Sequence, residues 1–331
     1  MHVSCDRVHG TLVGLFAIAA MLFVSASAVA QQRVRVLLDW SWLPYHAAFL
    51  IAKDRGYYKD AGLDVDIEQG RGSATTAILL GQGGFDIAHL NTTNAAQVIG
   101  KGAPIKVVAI YQQQSGASFV GIKGHVKLVG PQSLIGPKIG STPGGSDELS
   151  LKIFTRENHI PMSKLNVVSL DAQAKTAALF TGSIDVVSGD APAFNAYVRA
   201  TGQQPETLLL AKHGVPLIGF GFAVNNAFLK AHPAAVTKFL AATRRGFIDE
   251  AKDPKAACAF MKTQVHLAGS VERCADYING LMELSTPPSD PSWGHQSKAA
   301  WERLVSILKA VGEIKLDRPL DDYYTNALLP K

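Results

Sequence analysis

Four side chains that could grip a small molecule stand within seven residues: Trp40, Trp42, Tyr45 and His46. Indole and phenol faces stack on planar ligands, and an imidazole can donate to a ligand oxygen or ring nitrogen. The same rings could instead plug the base of a helix, with the histidine a core residue bonded to a carbonyl. Of the two tryptophans, Trp40 is read as the ligand wall and the other as core. A strand and a helix must position them. Val34, Val36 and Leu38 alternate with Arg35 and Leu37 up to Asp39; Pro44 then breaks the chain, and Tyr45 to Asp54 has helical spacing. The aromatic cluster therefore falls in a strand-to-helix turn. In open α/β sheets such turns lie at the carboxyl edge, where small ligands bind.

Other turns repeat the arrangement. Gly70-Arg71-Gly72-Ser73 follows an alternating strand, Leu63–Glu68, and precedes a helical run, Ala74–Leu80. Glycines before a serine let the backbone approach a ligand, with free amides and the hydroxyl facing it; a plain N-cap role for Ser73 competes. Asn91 and Thr92, after a strand at Phe85–Ala88, could offer neutral hydrogen bonds, though Asn91 also suits a helix cap. Thr142, Gly144, Gly145 and Ser146 open the helix Asp147–Asn158 and would answer Gly72-Ser73 from a second half. Two helix amino ends on one cleft favour an anionic group. Asp190 lies just past a strand at Ile184–Val187. It could meet an amine or a ring N–H, or cap the helix Ala191–Thr201.

The strand–helix plan recurs along the chain. Thr76-Ala77 and Leu79 align with Thr176-Ala177 and Leu179, and Phe85-Asp86-Ile87 aligns with Ile184-Asp185-Val186. After Gly219–Val224 only helical patterns follow: Pro233–Glu250, Pro254–Thr263, Ser270–Glu283 and Gln296–Val311. The expected fold is α/β with two lobes. Each lobe is a mixed, mostly parallel sheet flanked by helices, and the helical C-terminal tail packs on lobe 1. Lobe 1 takes 31–114 and 222–331, lobe 2 takes 115–221, and two crossings form a hinge beside the cleft.

Residues 1–30 read as a signal peptide. An apolar stretch, Thr11–Val24, precedes Ala28-Val29-Ala30, with cleavage expected before Gln31. Cys258 and Cys274 then remain in what reads as an exported chain, as a candidate disulfide between two helices. The 331 residues carry a net charge of +5 with lysines and arginines scattered, which argues against a nucleic-acid partner. Histidines are dispersed, with no helical pair and no cysteine motif, so no metal site is expected. No Gly-x-Ser-x-Gly elbow or Walker loop is present, and neither an enzyme nor a cofactor is expected.

Several runs carry a family resemblance: Leu38-Asp39-Trp40, His46-Ala47, Gly56-Tyr57-Tyr58-Lys59, Gly62-Leu63-Asp64-Val65, Gly70-x-Gly72-Ser73 and Phe85-Asp86-Ile87. With them the chain resembles type 2 periplasmic solute-binding proteins. The group it is most similar to binds alkanesulfonates, taurine, nitrate, riboflavin or the pyrimidine precursor of thiamine. The resemblance covers most of the first lobe and runs more weakly to about Ala241. It implies a monomeric periplasmic protein that captures a sulfonate-like anion or a planar heterocycle and delivers it to the permease of an ABC importer. In the pyrimidine branch a strand-end Trp and a helix His face the ligand, matched here by Trp40 and His46. That branch has Asn-Pro where this chain has Leu43-Pro44. In the sulfonate and nitrate branches the helix start faces the anion, matched here by Ser73. The alternatives are an enzyme related to thiamine-pyrimidine synthases, which would need a cofactor-binding lysine, and a sensory protein that presents its ligand to a membrane receptor.

Overall fold

The computed structural model describes residues 1–2, 31–143, 145–171 and 174–330. The expected signal peptide and Gly144 lie outside the described residues.

The first half of the chain builds strands and helices in alternation. These are β1 (Gln32–Leu37), α1 (Ala47–Asp54), α2 (Tyr57–Asp60), β2 (Leu63–Glu68), α3 (Ser73–Gly81), β3 (Ile87–Asn91), α4 (Thr92–Ile99) and β4 (Ile105–Ile110). A second series follows: β5 (Ala117–Ile122), β6 (Lys138–Ser141), α5 (Ser146–Glu157), β7 (Asn166–Ser169), α6 (Ala174–Phe180), β8 (Val186–Asp190), α7 (Ala191–Arg199) and β9 (Pro205–Leu209). The chain closes with β10 (Phe220–Asn225), α8 (Asn226–Ala231), α9 (Pro233–Lys252), α10 (Pro254–Gln264), α11 (Val271–Met282) and α12 (Lys298–Ala310). No helix among the described residues is long and apolar enough to cross a membrane.

Two five-stranded sheets result, ordered β2-β1-β3-β10-β4 and β7-β6-β8-β5-β9. In each, the first three strands are parallel and the fourth runs antiparallel to both neighbours. The alternation seen in the sequence sets the register. Val34 lies opposite Val65 and Val36 opposite Ile67, so the buried valines share one face. Burying each such side chain contributes about 1.5–3 kcal/mol. The fourth strand of each sheet is out of sequence order: in sheet 2 it is β5, the first strand of that sheet along the chain. β10 enters sheet 1 only after all of sheet 2 has been traversed. Two segments cross between the sheets side by side and bond to each other: Gly219 N–H donates to the Gln112 carbonyl at 3.1 Å, and Ser115 N–H to the Leu217 carbonyl at 2.8 Å.

The helical tail packs α9 on α1 and α12 on α4, beside sheet 1. It also reaches sheet 2. α11 lies along α7, where Arg199 pairs with Asp276 at 3.1 Å and Arg273 stacks over the Tyr197 ring. A disulfide joins Cys258 of α10 to Cys274 of α11, with Cα atoms 6.0 Å apart. Both cysteines are buried.

Candidate functional site: a cleft between two sheets

The carboxyl ends of both sheets open on one cleft of about 990 Å3. Its floor is organised by Asp39, at the end of β1. This buried carboxylate accepts from His46 Nε2 at 2.9 Å and His89 Nδ1 at 2.8 Å, both on Oδ1, and from the Tyr45 hydroxyl at 2.8 Å on Oδ2. The outer atoms fix the tautomers. Leu43 N–H donates to His46 Nδ1 at 3.1 Å, so Nε2 carries the proton that reaches Asp39. Tyr111, whose burial pushes its phenol well above the usual range, keeps its proton and donates it to His89 Nε2 at 2.8 Å. Burial alone would raise the Asp39 carboxyl, but the hydrogen bonds from His46 and His89 hold it well below the usual carboxylate range. Burial likewise keeps the His46 imidazole below its ordinary value. The Asp39, His46 and His89 donor atoms lie within 4.8 Å of one another, a spacing a metal could also use. Here hydrogen bonds account for every ring nitrogen.

Above this floor stands an aromatic wall. Tyr45 stacks on Phe220 with centroids 5.1 Å apart and meets Tyr277 edge-on at 5.7 Å. Trp40, Phe194 and Tyr197 extend it around the cleft. The Gly-x-Gly turn comes down beside it. A side chain on Gly70 would strike the Leu38 carbonyl at 1.9 Å, and Gly72 holds φ +125°, so neither position admits another residue without strain. Gly72 N–H donates to the Asp39 carbonyl at 2.8 Å, which brings the start of α3 into the cleft. Ser73 Oγ accepts from Asn91 N–H at 3.0 Å, which leaves its own hydroxyl hydrogen available to donate. Asn91 Oδ1 caps α4 through Thr93 N–H at 3.0 Å.

Sheet 2 presents a different chemistry. Asp147, in the first turn of α5, accepts from Thr142 N–H at 2.8 Å and from Lys175 Nζ at 2.8 Å. Lys175, buried, also donates to the Ser188 carbonyl at 3.1 Å. At the end of β8, Asp190 has the first-turn amide of Ala193 and the Tyr277 hydroxyl close to its carboxyl without a full cap on α7, and its Oδ2 is buried without a partner. Burial pushes this carboxyl up to about 7, although the Ala193 amide and the Tyr277 hydroxyl pull it down. Asn94 Oδ1 and Thr142 Oγ1, which also line the cleft, are buried without partners too. The α10–α11 connection, through His266 and Leu267, and Arg273 in the first turn of α11 close one side, next to the disulfide.

The family model described as NMT1/THI5 like matches residues 43–257, well over half of the chain. The chain belongs to the NMT1/THI5-like family. Among its relatives is the 4-amino-5-hydroxymethyl-2-methylpyrimidine phosphate synthase THI13 of Saccharomyces cerevisiae, 24% identical over 237 residues that cover 66% of either chain. This chain thus spans just under two thirds of that relative's length. The riboflavin-binding protein RibY of Chloroflexus aurantiacus is 26% identical over 313 residues, 89% of this chain and 86% of RibY. In structure, the chain resembles the periplasmic aliphatic sulphonate-binding protein SsuA of Escherichia coli. The TM-score is 0.67 at 12% identity, covering 86% of this chain and 94% of SsuA. The fold is that of the periplasmic binding proteins: two mixed sheets flanked by helices.

Within this NMT1/THI5-like chain, Trp40, Gly72, Ser73, Asn91, Thr142, Gly145, Ser146 and Asp190 all line the cleft. Two expected ligand residues do not. His46 is wholly buried beneath the floor, because Asp39 and the Leu43 amide take both of its nitrogens. Thr92 is also wholly buried, its amide bonded to the Gly219 carbonyl. Of the two helix ends expected to face an anion, the start of α5 carries Asp147 and Glu148 in its first turn, which answer its dipole with carboxylates, whereas the first turn of α3 carries no acidic residue. Residues the sequence reading missed include Asn94, Lys175, Phe220 and Tyr277. Asn94 sits three residues beyond a candidate already named, which a helical turn brings back to the same face.

Proposed function

We propose that this chain is a periplasmic solute-binding protein. It captures a small organic solute, a sulfonate-like anion or a planar heterocycle or aromatic, between its two lobes and delivers it to the permease of an ABC importer. The observation that carries this reading is a cleft of about 990 Å3 lined jointly by the turns of both sheets, with side-by-side crossing segments between them. A ligand that touches both lobes favours the closed arrangement over the open one. The SsuA-like fold and the likeness to RibY support it. The signal-like sequence of residues 1–30 supports a location outside the cytosol, and a monomer that binds no nucleic acid suffices for the task.

The yeast relatives carry the name of a synthase, so an enzyme is the competing reading. Lys175 is the one lysine that lines the cleft among the described residues, and its ammonium is engaged by Asp147 and the Ser188 carbonyl. A lysine so occupied is poorly placed to hold a cofactor, which supports a binding protein. Purified protein screened by thermal shift against sulfonates, pyrimidines, flavins and small aromatic acids should gain stability with a micromolar binder. If no solute in the panel shifts the transition, the reading fails. Turnover of a bound pyrimidine, seen by mass spectrometry, would favour the enzyme.

A further inference from the structure

One segment leaves β4 for the second sheet and another returns into β10, and Gln112 on the first is bonded to the second by every polar group but one. Its N–H donates to the Phe220 carbonyl at 3.2 Å, and its carbonyl accepts from Gly219 N–H at 3.1 Å. Its side-chain Oε1 accepts from Phe220 N–H at 2.9 Å. The remaining group, Nε2, is buried without a partner. The fit against Gly219 leaves no slack. A Cβ there would meet Gln112 Oε1 at 2.2 Å, Cδ at 2.4 Å and Cγ at 2.7 Å. Gly219 is not among the glycines with positive φ, so space and not backbone conformation demands it.

Both sides of this interlock reach the ligand wall, although Gln112 itself is wholly buried and outside the cleft lining. Phe220 lines the cleft, stacks on Tyr45 and stacks on the His89 ring at 5.2 Å. Tyr111, next to Gln112 in the chain, donates to His89 Nε2 and so joins the Asp39 network that fixes the Tyr45 hydroxyl. Adjacent residues of one crossing segment thus position both rings of the Tyr45–Phe220 pair. Rotation of two lobes is absorbed by dihedral changes in a few residues of the segments between them. Here those residues are held by the amide of Gln112. Its unmet N–H makes the hold incomplete, since a buried donor without a partner is costly.

We propose that Gln112 is the positioning residue of the hinge: its side chain keys the two crossing segments together, seats Phe220 in the cleft wall and sets the angle between the lobes. This deepens the solute-binding reading and rests on it for what the hinge serves.

The interlock is tested on the empty protein by double electron–electron resonance. Spin labels go on Lys59→Cys beside sheet 1 and Ser163→Cys beside sheet 2, both exposed positions, with Cys258 and Cys274 kept in their bridge. Relative to the labelled parent, Gln112→Ala should shift or split the interlobe distance distribution. Gly219→Ala, whose methyl pushes the Gln112 side chain from its seat, should do the same. Where Gln112 is already alanine the methyl has room, so Gly219→Ala should lose most of its effect on the urea midpoint. Should Gln112→Ala fail to fold, Gly219→Ala carries the distance measurement. Unchanged distances, even beside a lowered urea midpoint, would make Gln112 ordinary packing and overturn the inference, as would urea effects of the two substitutions that simply add. A solute panel without a binder would overturn the solute-binding reading and leave these distances to stand or fall alone. Unchanged distances in a protein that binds a solute would overturn only the role of Gln112.

Discussion

Asp39 and Asp190 each stand at the end of a parallel strand, one in either half, and both touch the same cleft. Their surroundings pull them apart. Asp39 receives three hydrogen bonds from side chains, which overcome its burial and keep it ionised. Asp190 is buried with one oxygen unmet, and burial wins, lifting it to about 7. The contrast teaches that burial alone does not mark a ligand group; the donors already supplied do. A carboxylate with its full complement holds the scaffold together, and one left short keeps an oxygen free to accept.

The comparison can be broken most forcefully at Asp39. Asp39→Asn would turn an amide N–H toward imidazole and phenol donors and should cost about 3–5 kcal/mol, read as a drop in unfolding free energy in urea. A loss under about 1 kcal/mol would mean the network is ornamental. Next comes the wall between the halves. Opening the Cys258–Cys274 bridge, which closes a 16-residue separation, should cost about 3 kcal/mol by the chain-entropy account. Because the bridged α10–α11 connection lines the cleft, bound ligand should also be held more weakly after reduction.

Asp190→Asn should act in the opposite sense to Asp39→Asn on the empty protein. The folded carboxyl holds its proton to about pH 7, against about 4 when unfolded. Its folded state therefore binds more protons across that interval, and stability from this group falls as pH rises from about 4 to 7. Asp190→Asn should remove that slope and stabilise the empty protein at pH 8 by roughly 1–3 kcal/mol. Glu250, buried with Oε1 unpaired and raised well above its usual value, leaves a residual slope of the same sign. Asp39 contributes the reverse trend, present above its ordinary value of about 4 and lost in stronger acid. Unfolding midpoints at half-unit pH steps separate the two. The smallest effect is at the cap: Asn91→Ala should cost about 1 kcal/mol, read in urea unfolding.

Local signals were legible where the chain neighbours itself. The aromatic turn, the Gly-x-Gly step and the Asp190 position could be read because each is set within a few residues. The role of His46 could not, since its meaning depends on sharing Asp39 with His89, 43 residues away, and no spacing rule joins them. β5 escaped notice for a different reason. Phe119, Val120 and Ile122 are buried on both faces of a central strand, so the two-residue alternation that reveals a half-exposed strand is missing. Phe220 and Tyr277 reach the cleft through the late strand and the tail, whose packing no local pattern states.

The position of β10 has a consequence for how the molecule is made. Among the described residues it is the only strand that links β3 to β4 in sheet 1, yet it leaves the ribosome after every strand of the other sheet. Until residue 225 has emerged, β4 has no neighbour and β3 keeps a bare edge, so the amino-terminal lobe stays an open template through most of synthesis. A nascent chain halted before Phe220 should be cut readily by protease within its first hundred residues, and one carried past Asn225 should resist.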